Sequence, residues 1–197
     1  MTMCGLAILL AGINTPPPSV APRPGDHAAL MRGEVVKRLE PIAGAAVPRM
    51  RAYMLIDAPP AKVFSVIDHC GDFNKVMPRV VYSKELSRKA GMVVCKIKID
   101  LPLFLGTLVS VTRGQHTYGP SQWSREWSLV SGTFERNTGR WSISAYKGNA
   151  KVSLVEYCIH AIPKLYLPNA LLRKANGRSI PGMLRHLRKL ITGKEKR

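Results

Sequence analysis

From Val80 to Ala161 the chain is a succession of short runs in which apolar residues recur at every second position, broken by turn signals. A period of two places alternate side chains on opposite faces, so each run reads as a strand with one face free for a core. Val93, Cys95, Ile97, Ile99 and Leu101 alternate with Val94, Lys96, Lys98 and Asp100. Leu105, Thr107, Val109 and Val111 share the face of the next run, and Trp123, Arg125, Trp127 and Leu129 that of the run after it. Gly132 and an Asn137-Thr138-Gly139 turn separate two further short strands, the second carrying Trp141 and Ile143. The last run spans Ala150 to Ala161, with Val155, Tyr157 and Ile159 on one side. Connections this short join antiparallel neighbours.

Two strands and two helices frame this meander. Gly33 to Leu39 has strand composition, and Met50, Ala52, Met54 and Ile56 alternate with Arg49, Arg51, Tyr53 and Asp57, a strand with one wet face. Pro59 and Pro60 suit the first turn of a helix whose face is Pro60, Val63, Phe64 and Ile67. Gly71 ends it, and Phe73 to Val76 forms a second short turn closed by Pro78. After Pro168 an apolar stripe begins with Leu171, Leu172 and Ala175 and continues through Ile180, Leu184, Leu187 and Ile191, with Arg185, Arg188 and Lys189 elsewhere on the wheel. Gly177 and Pro181 interrupt this helix, so a kink or two segments are expected. The order of elements is that of an α+β protein.

The 197 residues suffice for one domain with a sizeable core. The apolar run Met3 to Ile13 is too short to span a bilayer. Residues 1–21 carry no charge, and Ser19-Val20-Ala21 offers the small residues a signal peptidase inspects. They read as a signal peptide cleaved after Ala21, with export to a bacterial periplasm, although no Lys or Arg precedes the apolar run. Residues 22–32 continue a proline-rich linker, 33–191 form the domain, and 192–197 are a basic tail. Cys4, Cys70, Cys95 and Cys158 show no metal-ligand spacing and read as reduced or buried thiols. Net charge is +18, so polyanions are the natural partners: anionic lipid surface, nucleic acid or an acidic protein.

Several short texts resemble one superfamily. Asp57-Ala58-Pro59-Pro60-Ala61-Lys62-Val63-Phe64 and Met77-Pro78-Arg79-Val80 are similar to segments of the START-like (Bet v 1, SRPBCC) proteins. Asp100-Leu101-Pro102, Trp127-x-x-Val130-x-Gly132 and Gly139-Arg140-Trp141 resemble its coenzyme Q-binding and polyketide cyclase branch. The resemblance covers residues 33 to 191 and implies a helix-grip fold, a curved antiparallel sheet wrapped around a long C-terminal helix with a hydrophobic cavity between them. The walls expected from it are Phe64, Met77, Ile97, Ile99, Val109, Trp127, Leu129, Trp141, Tyr157, Leu172 and Leu184. Arg125 belongs to this set if its face points inward, where its guanidinium needs a glutamate or a ligand carbonyl; facing outward, it is merely solvated.

Catalytic motifs are missing: there is no GxSxG, P-loop, HExxH or dinucleotide turn. Cys158 and His160 share a strand face, but two ligands without a third are not a metal site, and no cofactor is expected. Asp68, His69 and Asp72 read as a solvated helix end. From Leu165 to Arg197 there are nine Lys or Arg against Glu195, either a solvated face or one for transient docking to an anionic membrane. The leading expectation is a monomeric, non-enzymatic binder or carrier of an isoprenoid quinone or lipid. The alternatives are a polyketide cyclase/dehydratase-type enzyme and a ribosome- or RNA-associating protein, the last excluded by export. Convergent polar groups on the inner face would favour the enzyme; a carrier needs almost none.

Overall fold

The computed structural model describes residues 15–101, 106–120, 122–165 and 169–193, with side chains in the last stretch from residue 179 onward. After a 3-10 turn at Pro24–Asp26 come α1 (His27–Met31), β1 (Val36–Glu40) and β2 (Arg49–Ile56). Then follow α2 (Pro60–Asp68), a 3-10 turn at Cys70–Asp72, and α3 (Phe73–Val76). The strands β3 (Val80–Lys89), β4 (Met92–Asp100), β5 (Thr107–Thr117), β6 (Gln122–Gly132), β7 (Phe134–Tyr146) and β8 (Asn149–Pro163) precede α4 (Asn169–Thr192). The strands form one sheet in the order β1-β2-β8-β7-β6-β5-β4-β3, antiparallel throughout. The α2–α3 segment carries the chain from β2, next to one edge of the sheet, to β3 at the opposite edge. This is the α+β helix-grip arrangement: a curved antiparallel sheet around a C-terminal helix.

The inner face is set by register. Met50, Ala52, Met54 and Ile56 of β2 stand beside Ile159, Tyr157, Val155 and Ser153 of β8, which stand beside Gly139, Trp141, Ile143 and Ala145 of β7. These residues pack on Val63, Phe64 and Ile67 of α2 and on Ile180, Met183, Leu184, Leu187 and Ile191 of α4, all buried. Ser153 Oγ fastens α2 to the sheet by donating to the Ala58 carbonyl at 2.6 Å. A second cluster of Phe73, Val80, Val93 and the half-cystines Cys70 and Cys95 fills the space beneath α3.

Five expectations are corrected. Asn137-Thr138-Gly139 is not a turn but the middle of β7, because its residues serve packing: Trp127 lies over the bare Cα of Gly139, where any Cβ would strike the indole. The helix α4 is one segment through Gly177 and Pro181, not two. The one backbone bond a proline forfeits is outweighed by burial of the stripe from Ile180 to Ile191. Cys70 and Cys95 are not thiols; they form a disulfide between the helical segment and β4, with Cα atoms 6.2 Å apart, while Cys158 is free and buried.

Finally, residues 24–31 are not a loose linker. Their two helical turns bury Leu30 against Tyr53, Leu55 and Tyr146 on the outer face of the sheet. The preceding stretch lies on the same face: Tyr53 donates to the Val20 carbonyl at 2.8 Å, and Arg140 Nε to that of Pro17 at 2.9 Å. The wet face expected of β2 is thereby dry, with Arg51 and Tyr53 essentially inaccessible. The apolar core of the expected leader lies outside the described residues.

Candidate functional site

The aromatic wall of the inner face is built on glycine. Trp127 of β6 stands opposite Gly139 in register and spreads across it. Its ring stacks on Tyr157 with centroids 5.9 Å apart, and Tyr157 meets Trp141 at 4.4 Å. The indole N–H donates to Asn137 Oδ1 at 3.0 Å, and Asn137 Nδ2 donates to Ser110 Oγ at 2.9 Å. This buried chain satisfies the polar atoms it hides, as burial requires.

Next to that wall lies a polar constellation. Arg125 points inward and is 2% exposed. Its side chain crosses Gly114 of β5, where an added Cβ would sit 3.4 Å from Nε. The guanidinium packs over the Phe73 ring at 4.6 Å, donates to Cys95 Sγ at 3.1 Å, and makes a long contact of 3.5 Å to the Ile67 carbonyl. It forms no ion pair among the described residues, and its Nε has no partner. Burial, reinforced by Arg88, lowers its pKa to about 10, which leaves it charged at neutral pH.

His116 of β5 is the register partner of Arg125. Its Nδ1 lies 2.6 Å from Asp68 Oδ1 at the end of α2, and its Nε2 is buried without a partner. Burial is the main cause, with the Arg125 charge second, that pushes the imidazole down to about 4, so it is neutral at pH 7. Asp68 also accepts from Tyr118 Oη at 2.7 Å and Arg88 Nη1 at 3.2 Å. Burial works against its ionisation, but these three hydrogen bonds prevail and hold its pKa below the usual value. An ionised Asp68 fixes the tautomer: Nδ1 carries the proton and Nε2 the lone pair. Phe64, Tyr118 and Trp123 surround the pair with aromatic surface.

Phe64, Trp127, Trp141, Tyr157 and Leu184, expected as walls, meet in one cluster, and Met77 bridges it to the second. Ile97 and Ile99 belong to that second cluster, under α3. Leu129, half-buried, pairs with Thr112 on the inner face. Val109 is a correction. It pairs with Lys98 on the outer face, and Leu108, opposite Ile99, takes the inner position. Apolar alternation misled there because the inner residues of β5 after Leu108 are Ser110, Thr112, Gly114 and His116, while Val109 and Val111 face outward. The side chain of Leu172 lies outside the described residues. Asp68 is no solvated helix end, although His69 and Asp72 are exposed. His160 is engaged otherwise than by a metal, lying 2.9 Å from the Val47 carbonyl through Nε2 and accepting from Arg136 through Nδ1. Arg188, placed off the apolar stripe, is buried and donates to the Gly33 carbonyl at 2.7 Å.

On the outer face a polar cavity of about 240 Å³ is lined by Ser19, Tyr53, Gln122, Ser142, Leu154 and Glu156, among others. Its acid is already occupied. Glu156 pairs with Arg51 and accepts from Ser19 Oγ at 2.5 Å and the Val20 amide at 3.1 Å.

Residues 56–188 match the family model described as polyketide cyclase / dehydrase and lipid transport. The chain belongs to that family. Among solved structures, the STAR-related lipid transfer protein of Xanthomonas axonopodis superposes with a TM-score of 0.71 at 17% identity, over 80% of this chain and 93% of that one. Human StAR-related lipid transfer protein 5 gives 0.68 at 12% identity over 81% and 83%. A Streptomyces aromatase/cyclase gives 0.57 at 12% identity over 74% and 96%. At these identities the likeness is one of fold. No curated protein sequence matches the chain.

Proposed function

We propose that the protein binds and carries a hydrophobic small molecule, an isoprenoid quinone or a lipid, between the inner face of the sheet and helices α2 and α4. The observation that carries this reading is the aromatic wall of Trp127, Trp141 and Tyr157 beside a buried guanidinium that has no carboxylate partner among the described residues. An apolar ligand there exchanges water for packing contacts, and one polar atom of it compensates the desolvated cation. The family description and the lipid-transfer neighbours support the same reading.

Export to the periplasm belongs to this proposal, supported by the Cys70–Cys95 disulfide, since such bonds persist in oxidising compartments. So does transient contact of the basic C-terminal region with an anionic leaflet. A second reading, cyclase or dehydratase chemistry, is favoured by the convergence of Asp68, His116 and Arg125 on the inner face, where the Asp68–His116 pair keeps an imidazole nitrogen unprotonated and, among the described residues, unpartnered, as a general base requires.

Mass spectrometry of organic extracts from protein purified out of a native host tests the carrier reading. A stoichiometric quinone or lipid is expected, and its re-addition should raise the melting temperature by mass action. Leu129→Arg should abolish that rise and keep the fold. An empty extract, with no shift from any added quinone or lipid, would refute it. Conversion of the added compound would move the assignment to the enzyme.

A further inference from the structure

Two nitrogens on the inner face, His116 Nε2 and Arg125 Nε, are buried and have no hydrogen-bond partner among the described residues. Such atoms are rare in folded proteins, and each calls for a reason. These two are not independent. Their residues are direct partners across β5 and β6, so the side chains leave the sheet on the same face with Cβ atoms about 5 Å apart. Their chemistries are complementary. With Nδ1 held by Asp68, His116 Nε2 is an acceptor only. Arg125 Nε is a donor only.

We propose that His116 and Arg125 together anchor a hydroxyl group at one end of an otherwise apolar ligand. The inference rests on the binding function proposed above and narrows its ligand. A hydroxyl is the smallest group that donates and accepts through one oxygen. Its O–H goes to His116 Nε2 and its lone pair receives Arg125 Nε–H, which satisfies both atoms. A ketone, an ether or a carboxylate only accepts: it serves Arg125 and sets its own lone pairs against that of His116. An amine also lacks fit, because its protonated form meets the Arg125 charge. Gly114 lets the Arg125 side chain cross β5 closely, since an added Cβ there would sit 3.4 Å from Nε. Phe64, Tyr118 and Trp123 give the apolar body of the ligand a wall next to the imidazole. For a quinone-type ligand, the anchor selects the quinol over the quinone.

The test compares 1-dodecanol, dodecyl methyl ether and dodecanoic acid, each below its aggregation concentration, by tryptophan fluorescence titration of the full chain. The alcohol should bind about three- to tenfold more tightly than the ether, the value of one hydrogen bond, and more tightly than the acid. His116→Phe should bind alcohol and ether alike. Nitrogen-15 NMR of the wild-type imidazole supplies a readout independent of that variant's folding: the His116 Nε2 resonance should move with the alcohol and not with the ether. Equal affinities for alcohol and ether, as a bound water in the anchor would give, overturn the proposal. So does a preference for the acid, which would make Arg125 an anion site. If none of the three binds but an extracted quinone or lipid does, the anchor falls and the carrier stands. If nothing apolar binds, both fall.

Discussion

The two faces of the sheet each bury an arginine, and they treat it oppositely. On the outer face Arg51 is held by Glu40 through Nε at 2.5 Å and Nη2 at 3.2 Å, by Glu156, and by the Pro18 carbonyl at 3.0 Å. On the inner face Arg125 has a sulfur, an aromatic ring, a distant carbonyl and one orphaned N–H. A buried charge is tolerated by folding only when it is paired. The outer arginine meets that condition from within the chain, so its role is complete in the folded state. The inner one does not among the described residues, and the proposed ligand would supply its partner. The same contrast separates the histidines: His160 uses both ring nitrogens within the chain, whereas His116 uses one.

The largest effect expected from this contrast is on the outer face. Arg51→Met strands Glu156 without its cation and leaves Glu40 only the 3.6 Å contact to Arg49, and urea denaturation should show a loss of about 3–5 kcal/mol. Ligand affinity of the remaining folded protein should be unchanged. Opening the Cys70–Cys95 bridge, by reductant or by Cys70→Ala, should cost about 2–4 kcal/mol in the same assay, because it frees a loop with a sequence separation of 25 residues. A chain beginning at Pro22, the form that cleavage after Ala21 on export would leave, loses the Ser19 and Val20 bonds to Glu156, and should be less stable than the full chain by about 1–3 kcal/mol. Equal stability of the two chains would mean that the segment before Pro22 contributes nothing to the outer face.

A further effect concerns pH. His116 titrates near 4 in the folded protein and near 6.5 unfolded, so the unfolded chain binds the extra proton first as pH falls. Its contribution to stability is complete above pH 6.5 and is lost progressively between 6.5 and about 4. Asp68, with its lowered pKa, adds a loss in the same direction at more acid pH. His116→Phe should flatten the upper part of that curve, as measured by urea midpoints at several pH values. A ligand that donates to Nε2 should steepen it.

Much of the fold was legible in the sequence because period two and period 3.6 are strong signals. The strands with alternating apolar residues, the proline-led helix α2 and the C-terminal stripe are where the pattern puts them. The reading failed where residues were chosen for a neighbour and not for local geometry. Asn137 and Gly139 look like turn formers, yet one receives the Trp127 N–H and the other makes room for its ring. On β5 the inner residues are polar, so an apolar criterion chose Val109 over the face that carries His116. The aromatic cluster of the candidate site and the inward-facing option for Arg125 were therefore visible. The meeting of Asp68, His116 and Arg125 was not, because it depends on the β5–β6 register and on the packing of α2, neither of which the local pattern encodes. The disulfide escaped for the same reason.

The central claim is that the inner arginine is kept for a ligand and the outer one for the fold. The most direct measurement is the melting temperature of Arg125→Met, with and without 1-dodecanol. Removing an uncompensated buried charge should leave the ligand-free protein as stable as wild type, or more so, and should shrink or abolish the shift produced by the alcohol. A ligand-free protein that melts far below wild type, with the alcohol-induced shift intact, would show that Arg125 serves the fold as Arg51 does and would contradict the account.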